Sequence, residues 1–92
     1  MGNSVRDNSA AGRFELDIDG QVAFITYRRT GGVTTLLHAE VPPELSGRGV
    51  GSTLTQGTLE LLREQGRKIV PRCPFIAVYV KKHPEFQDLV AG

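Results

Sequence analysis

The sequence lacks several features by which proteins are assigned to a functional class. It holds one cysteine in 92 residues, so no intramolecular disulfide can form, and a cytoplasmic, reducing compartment is expected. Lys and Arg total 11 against 10 Asp and Glu, and a net charge of +1 lacks the basic excess that binds nucleic acid backbones. No apolar run approaches the roughly 18 residues of a membrane-spanning helix. We therefore expect neither a nucleic acid nor a membrane as a partner.

The length and composition are those of one small folded domain. Ninety-two residues are too few for two cores, and a hydrophobic content of 39% is too high for a disordered chain. The first dozen residues are small and polar, without periodicity and without the apolar stretch of a signal peptide. We expect residues 1–13 to be a disordered tail and residues 14–92 to be the folded domain.

The first half of the folded region alternates as β-strands do. Apolar and acidic side chains alternate over residues 14–18, which is typical of a half-buried strand. Asp19 and Gly20 favour a two-residue type I′ hairpin turn, and residues 21–29 are rich in strand-forming side chains. Residues 33–41 form a third strand, which ends at two prolines. The pattern predicts a three-stranded antiparallel meander.

The second half of the chain changes to a helical period and back again. Apolar residues recur at helical spacing over residues 50–65, and Gly66 ends this helix. Residues 68–72 are too few for a helix and predict a fourth strand, parallel to the third because a helix connects them. Pro74 starts a second helix over residues 75–82. We predict an α+β fold with a four-stranded mixed sheet, a βαβ crossover and two helices.

A glycine-rich loop at residues 47–53 carries the strongest chemical signal. Gly47, Gly49 and Gly51 let consecutive amide groups turn toward one point, and the helix that follows adds its positive N-terminal end. The loop therefore suits a phosphate or pyrophosphate. It is not a P-loop, because no Lys precedes Ser52, and its glycine spacing is not that of a dinucleotide fingerprint. The alternative is a tight strand-to-helix turn that binds no ligand.

Two segments resemble a known family. Residues 40–54 (EVPPELSGRGVGSTL) look like the acetyl-CoA-binding motif of the GNAT superfamily of N-acetyltransferases, R/Q-x-x-G-x-G/A. Residues 73–86 (CPFIAVYVKKHPEF) are similar to the end of its short, single-domain members, and the resemblance extends over residues 14–90. Ser46 occupies the motif's first Arg or Gln position, which leaves Arg48 and the backbone amides to contact the pyrophosphate.

The resemblance implies a minimal GNAT-like fold and an N-acetyltransferase that uses acetyl-CoA as cosubstrate and an amine, on a small molecule or a protein, as acceptor. Pantetheine would lie between the third and fourth strands, where a backbone amide polarises the thioester carbonyl. The alternative is a CoA-binding module without efficient catalysis, favoured by Ser46 and by the absence of the helices that usually follow the first strand. The implied cofactor-binding residues are Val41, Gly47, Arg48, Gly49, Val50, Gly51 and Ser52.

Four residues are candidates for the chemistry of acetyl transfer. His38 and Glu40 lie two apart on the third strand and share a face, so either could deprotonate the amine; otherwise they belong to a solvated polar face. Cys73 lies at a helix N-terminus, which stabilises a thiolate, and resembles the cysteine that lines the acetyl group in short GNAT-like proteins. It is a nucleophile, a wall residue or a buried packing residue. Tyr79 lies near the position of the family's general-acid tyrosine, or packs in the core.

A small basic cluster of Lys81, Lys82 and His83 closes the second predicted helix. It is either a solvated helix end or a contact for the CoA phosphates. No metal site is predicted.

Overall fold

Five strands form one sheet in the computed structural model of the chain, which describes residues 4–91. Their order across the sheet follows the sequence. The strands are β1 (Arg6–Asn8), β2 (Arg13–Ile18), β3 (Gln21–Thr30), β4 (Val33–Glu40) and β5 (Lys68–Pro71). The helices are α1 (Val50–Glu64) and α2 (Pro74–Lys82), with two short 3-10 helices at Pro43–Leu45 and Pro84–Leu89.

The predicted meander and crossover are confirmed. β2, β3 and β4 pair antiparallel in succession, and β5 pairs parallel to β4 after the α1 crossover. The turn between β2 and β3 places Asp19 at φ 53° and Gly20 at φ 78°. Positive φ at both central residues is what a type I′ turn requires. The fold class is therefore α+β with a mixed sheet and two main helices.

The predicted count of four strands is wrong, because β1 adds a fifth at the edge of β2. This strand comes from the segment 1–13, predicted as a disordered tail; residues 1–3 lie outside the described part of the chain. Polar contacts rather than an apolar period hold β1. Arg6 Nη2 donates to Glu15 Oε1 at 2.6 Å, and the Tyr27 hydroxyl donates to Asp7 Oδ1 at 2.6 Å. Such contacts leave no periodic signature in the sequence.

Glu15 shows how these contacts change the burial of β2. Alternation places it on the polar face, yet the residue is only 3% exposed. Arg13, Asn8 and Arg6 all donate to its carboxylate, and the two guanidinium groups form ion pairs with it. The Arg13 contact in particular holds the pKa of Glu15 below its usual range, against the opposing effect of burial. The cluster ties β1 to β2 and stabilises a carboxylate out of water.

The hydrophobic core lies on the face of the sheet that α1 and α2 cover. Phe14 of β2 pairs with Ile25 of β3, and both are fully buried. The neighbouring pair, Phe24 and Glu40, lies on the opposite face, where Glu40 is exposed. No helix within residues 4–91 is long and apolar enough to cross a bilayer.

β4 outlasts its partner β5, and this opens a cleft. The parallel pairing ends where Leu36 faces Pro71, but β4 continues to Glu40. The register with β3 shifts at the same point, since Tyr27 pairs with Leu36 and Thr26 pairs with His38. Leu37 is thus the extra residue of a β-bulge, which turns the end of β4 relative to its start.

Candidate functional site

The glycine loop brings the start of α1 to the end of β4. Gly47 and Gly49 have φ values of 80° and 73°, a left-handed conformation that costs other residues about 1 to 2 kcal/mol. Gly49 is the N-cap of α1, so the first amides of the helix have no acceptor within it. The first turn contains no carboxylate that could occupy them. The result is a cluster of amide donors at the positive end of a 15-residue helix.

The amide cluster opens into a pocket of about 380 Å³. All of its lining residues are uncharged, so an anion there would be held by backbone amides and the hydroxyls of Ser46 and Ser52. The lining combines the loop, the end of β4 and one residue of α2: Val41, Leu45, Ser46, Gly47, Gly49, Val50, Gly51, Ser52 and Phe75. Six of the seven residues predicted to bind the cofactor therefore line one pocket.

Arg48, the seventh, lies outside this lining. Its Nη1 donates to Asp19 Oδ2 in the β2–β3 turn at 3.1 Å, and both side chains are exposed. An exposed ion pair of this kind is worth little and breaks easily. A contact between Arg48 and a bound anion stays a prediction that requires the side chain to leave Asp19.

Phe75 is the residue of the site that sequence reasoning missed. It lies in the first turn of α2, is 47% exposed, and lines all three of the pockets described here. A Cβ built on Gly51 would lie 3.1 Å from Cζ of its ring, so a glycine is needed at that point. The only sequence signal was an apolar residue directly after Pro74, which also fits a buried position.

Two further pockets extend from either side of Phe75. One, of about 260 Å³, runs along the end of β4 and is lined by Ala39, Val41, Gly51 and Phe75. The other, of about 170 Å³, runs along α2 and is lined by Ser52, Phe75, Val78, Tyr79, Lys82 and His83. We call these three the loop pocket, the strand pocket and the helix pocket.

His38 and Glu40 come together as the sequence predicts. His38 Nε2 and Glu40 Oε1 lie 3.0 Å apart on β4, beyond the Leu37 bulge. Their side chains are 62% and 57% exposed, so both can reach a molecule in solution. Neither lines the loop, strand or helix pocket. Whether either acts as a base stays a prediction.

Cys73 lies where β4 and β5 diverge. It is the N-cap of α2, and its amide donates to the Leu36 carbonyl at 3.1 Å, next to the bulge. The residue is 6% exposed, and its carbonyl accepts the Ala77 amide at 2.9 Å. The backbone thus fixes the thiol between the base of the cleft and the start of α2. Its role as nucleophile or wall stays a prediction.

Tyr79 is held by α1 and by its own helix. Its hydroxyl donates to Gln56 Oε1, and its ring stacks on His83 with centroids 3.8 Å apart and an interplanar angle of 12°. Burial raises the pKa of Tyr79, and the nearby carboxylates of Glu85 and Glu60 add to this. The hydroxyl therefore keeps its proton at neutral pH. Of the three pockets, Tyr79 lines only the helix pocket.

The described residues form no cluster of three or more His, Cys, Asp or Glu that could hold a metal ion. The chemistry that the site supports is therefore anion binding by amides beside an exposed His–Glu pair.

Comparison with known proteins agrees with this geometry. Residues 13–89 match the family described as GCN5-related N-acetyl-transferase. Among solved structures, the chain is similar to the solution NMR structure of a GCN5-like candidate N-acetyltransferase from Staphylococcus aureus. The TM-score is 0.71 and the identity 30%, over 100% of this chain and 92% of that chain. No curated protein matches the sequence significantly.

Proposed function

Because the chain belongs to the GCN5-related N-acetyltransferase family, we propose that it transfers the acetyl group of acetyl-CoA to a primary amine. The observation that carries this proposal is the loop pocket, an amide-lined anion site placed where β4 has lost its partner strand. The site offers a phosphate group and an extended arm two adjoining places. We propose a cytoplasmic location, since the one cysteine is free.

The pyrophosphate of acetyl-CoA is placed in the loop pocket. The amides of Gly49, Gly51 and Ser52 lie at the start of α1, where the helix dipole favours negative charge. Backbone donors explain how Ser46 can stand where the family motif has Arg or Gln, since no cationic side chain is needed.

The pantetheine arm is placed in the strand pocket. Its lining is mostly apolar, and it follows Val41 and Ala39 of the unpaired end of β4 toward the bulge. In this pose the Val41 amide is the donor for the thioester carbonyl. A fixed donor at the oxygen on which negative charge develops stabilises the transition state.

The transfer itself forms an N–C bond and breaks the C–S bond of the thioester. The amine must first lose a proton, and Glu40, paired with His38, is positioned to accept it. The thiolate of CoA leaves and takes up a proton. Tyr79, which keeps its proton at neutral pH, is the candidate donor.

Cys73 has two roles in this scheme. As a wall residue it packs beside the acetyl group at the base of the cleft. As a nucleophile its thiolate would attack the thioester, forming an acetyl-cysteine and releasing CoA, before the amine takes the acetyl group. Direct attack by the amine needs one step fewer, and we favour it.

Steady-state kinetics test the proposal. The purified chain is incubated with acetyl-CoA and separate amines, which include peptides with a free lysine, polyamines and free amino acids, and CoA release is followed. We expect turnover with at least one class of amine. We expect Glu40→Gln to lower kcat while leaving the affinity for CoA unchanged, because CoA is held elsewhere. Glu44→Gln, an exposed carboxylate on the adjacent 3-10 helix, is the matched control and should keep full activity.

A CoA-binding module is the second candidate. The tight turn at Asp19 and Gly20 joins β2 directly to β3, where a longer connection would have supplied a wall for the acceptor. CoA binding without turnover on any amine would support this candidate over the enzyme.

A further inference from the structure

The helix pocket has no part in the scheme above, although its lining is unusual for a surface. Phe75 and Val78 lie on successive turns of α2 and are 47% and 50% exposed, which makes them the two most exposed large apolar residues of the described chain. Lys82 follows Val78 by one more turn, and its side chain is also exposed. An apolar strip with a cation at its end suits a flat apolar group that carries an anion.

The helix pocket is continuous with the anion site. It shares Ser52 and Phe75 with the loop pocket, whereas the strand pocket shares Val41, Gly51 and Phe75 with it. The loop pocket therefore has two exits, one along β4 and one along α2. A molecule with a central diphosphate and two arms could place one arm in each.

We propose that the helix pocket holds the adenosine 3′-phosphate end of CoA, with the base against Phe75 and Val78 and the 3′-phosphate on the Lys82 ammonium group. The proposal rests on the proposed function, since it requires CoA to bind at the glycine loop. The wall opposite the strip is preorganised. The Tyr79 carbonyl accepts a hydrogen bond from His83 Nδ1 at 2.8 Å, and the two rings stack.

Lys81 provides a matched control within the same helix turn. Lys81 and Lys82 are adjacent, exposed and identical in chemistry, but successive residues of a helix point about 100° apart. Only Lys82 lines the helix pocket. A general electrostatic effect of the basic helix end would respond equally to loss of either charge, whereas a specific contact would respond only to loss of Lys82.

Isothermal titration with CoA and with 3′-dephospho-CoA tests the assignment. We expect the wild-type chain to bind CoA about tenfold more tightly than dephospho-CoA, the size of one partly exposed charge-assisted hydrogen bond. K82Q should lose this preference by binding CoA more weakly while binding dephospho-CoA as before. K81Q should keep it. Val78→Ser should weaken both ligands by about threefold, because it removes apolar contact with the base common to both.

Other results would overturn the inference. Equal effects of K81Q and K82Q, or a wild-type chain that does not distinguish the two ligands, would remove the 3′-phosphate from Lys82. An increase in the acceptor KM of K82Q with unchanged CoA affinity would assign the pocket to the acceptor instead. Failure of the wild type to bind either ligand would refute the proposed function itself, and the two failures are therefore distinguishable. Thermal melts of each variant confirm that it is folded.

Discussion

Replacing Gly51 with Val changes the wall shared by the loop and strand pockets. A Cβ at this position would lie 3.1 Å from Phe75 Cζ and 3.5 Å from Cε2. Optimal contacts between carbon atoms are about 3.5 to 4.0 Å, so the ring must move by several tenths of an ångström. Because Phe75 is half exposed, the ring can swing aside at little cost to the fold. Its new position, with the added methyl groups, narrows both pockets.

The stability and the ligand affinity of this variant should therefore respond differently. Gly51 lies in a helix with an ordinary φ, where a larger side chain gains about 0.5 to 1 kcal/mol over glycine and offsets the displacement of Phe75. We expect a melting temperature within about 5 °C of wild type. We expect CoA to bind at least about a hundredfold more weakly, or about 2.7 kcal/mol, because the pyrophosphate loses access to the Gly51 amide.

Calorimetric titration with CoA measures the second quantity. Gly51→Ala should give an intermediate loss. Thr53→Val is the control, since Thr53 is exposed on the same helical turn and lines none of the three pockets. Normal CoA affinity in a folded Gly51→Val variant would refute the backbone-binding account.

Three further outcomes follow from particular contacts. Arg48→Ala should weaken CoA binding by less than about threefold in titration, because its guanidinium group pairs with the exposed Asp19 carboxylate instead of the pocket. Glu15→Gln should lower the free energy of unfolding by about 2 kcal/mol at pH 7. The folded-state pKa of Glu15 is lowered, so its contribution is complete above the unfolded pKa and is lost as pH falls through the folded one. Urea denaturation should thus show a smaller difference between wild type and Glu15→Gln in acid. Incubation with acetyl-CoA and no amine should leave at least a transient acetyl group on Cys73, seen as an intact-mass gain that Cys73→Ala lacks.

Each of these outcomes has a clear opposite. A tenfold loss with Arg48→Ala would mean that the side chain leaves Asp19 for the ligand. A Glu15→Gln difference independent of pH would show that the carboxylate charge does not act through the arginines. Full activity of Cys73→Ala, with no adduct on the wild type, would reduce this thiol to a packing residue.

The sequence predicts local features of the fold well, because their causes are local. Alternation over residues 14–18 and the helical period over residues 50–65 depend on neighbours a few positions away, and both elements are confirmed. The strand β1 could not be predicted this way. It depends on Asp7 meeting Tyr27 across the sheet and on Arg6 meeting Glu15, which are contacts between distant residues.

The candidate site divides along the same line. The glycine loop was predictable, since positive φ at Gly47 and Gly49 is a property of the glycine residues themselves. The placement of Phe75 between three pockets, and the Leu37 bulge that redirects β4, arise only when α2 and β3 pack against β4. Sequence reasoning therefore found the anion site and missed the residue that shapes its exits.

Binding of CoA at the glycine loop is the central claim, and an NMR titration of the ¹⁵N-labelled chain tests it most directly. As CoA is added, the amide resonances of Gly49, Gly51 and Ser52 should shift most, because their N–H groups bind the pyrophosphate. The Val41 amide should follow, because pantetheine passes along the end of β4. A spectrum unchanged at saturating CoA, or one whose shifts cluster away from the loop pocket, would contradict the account.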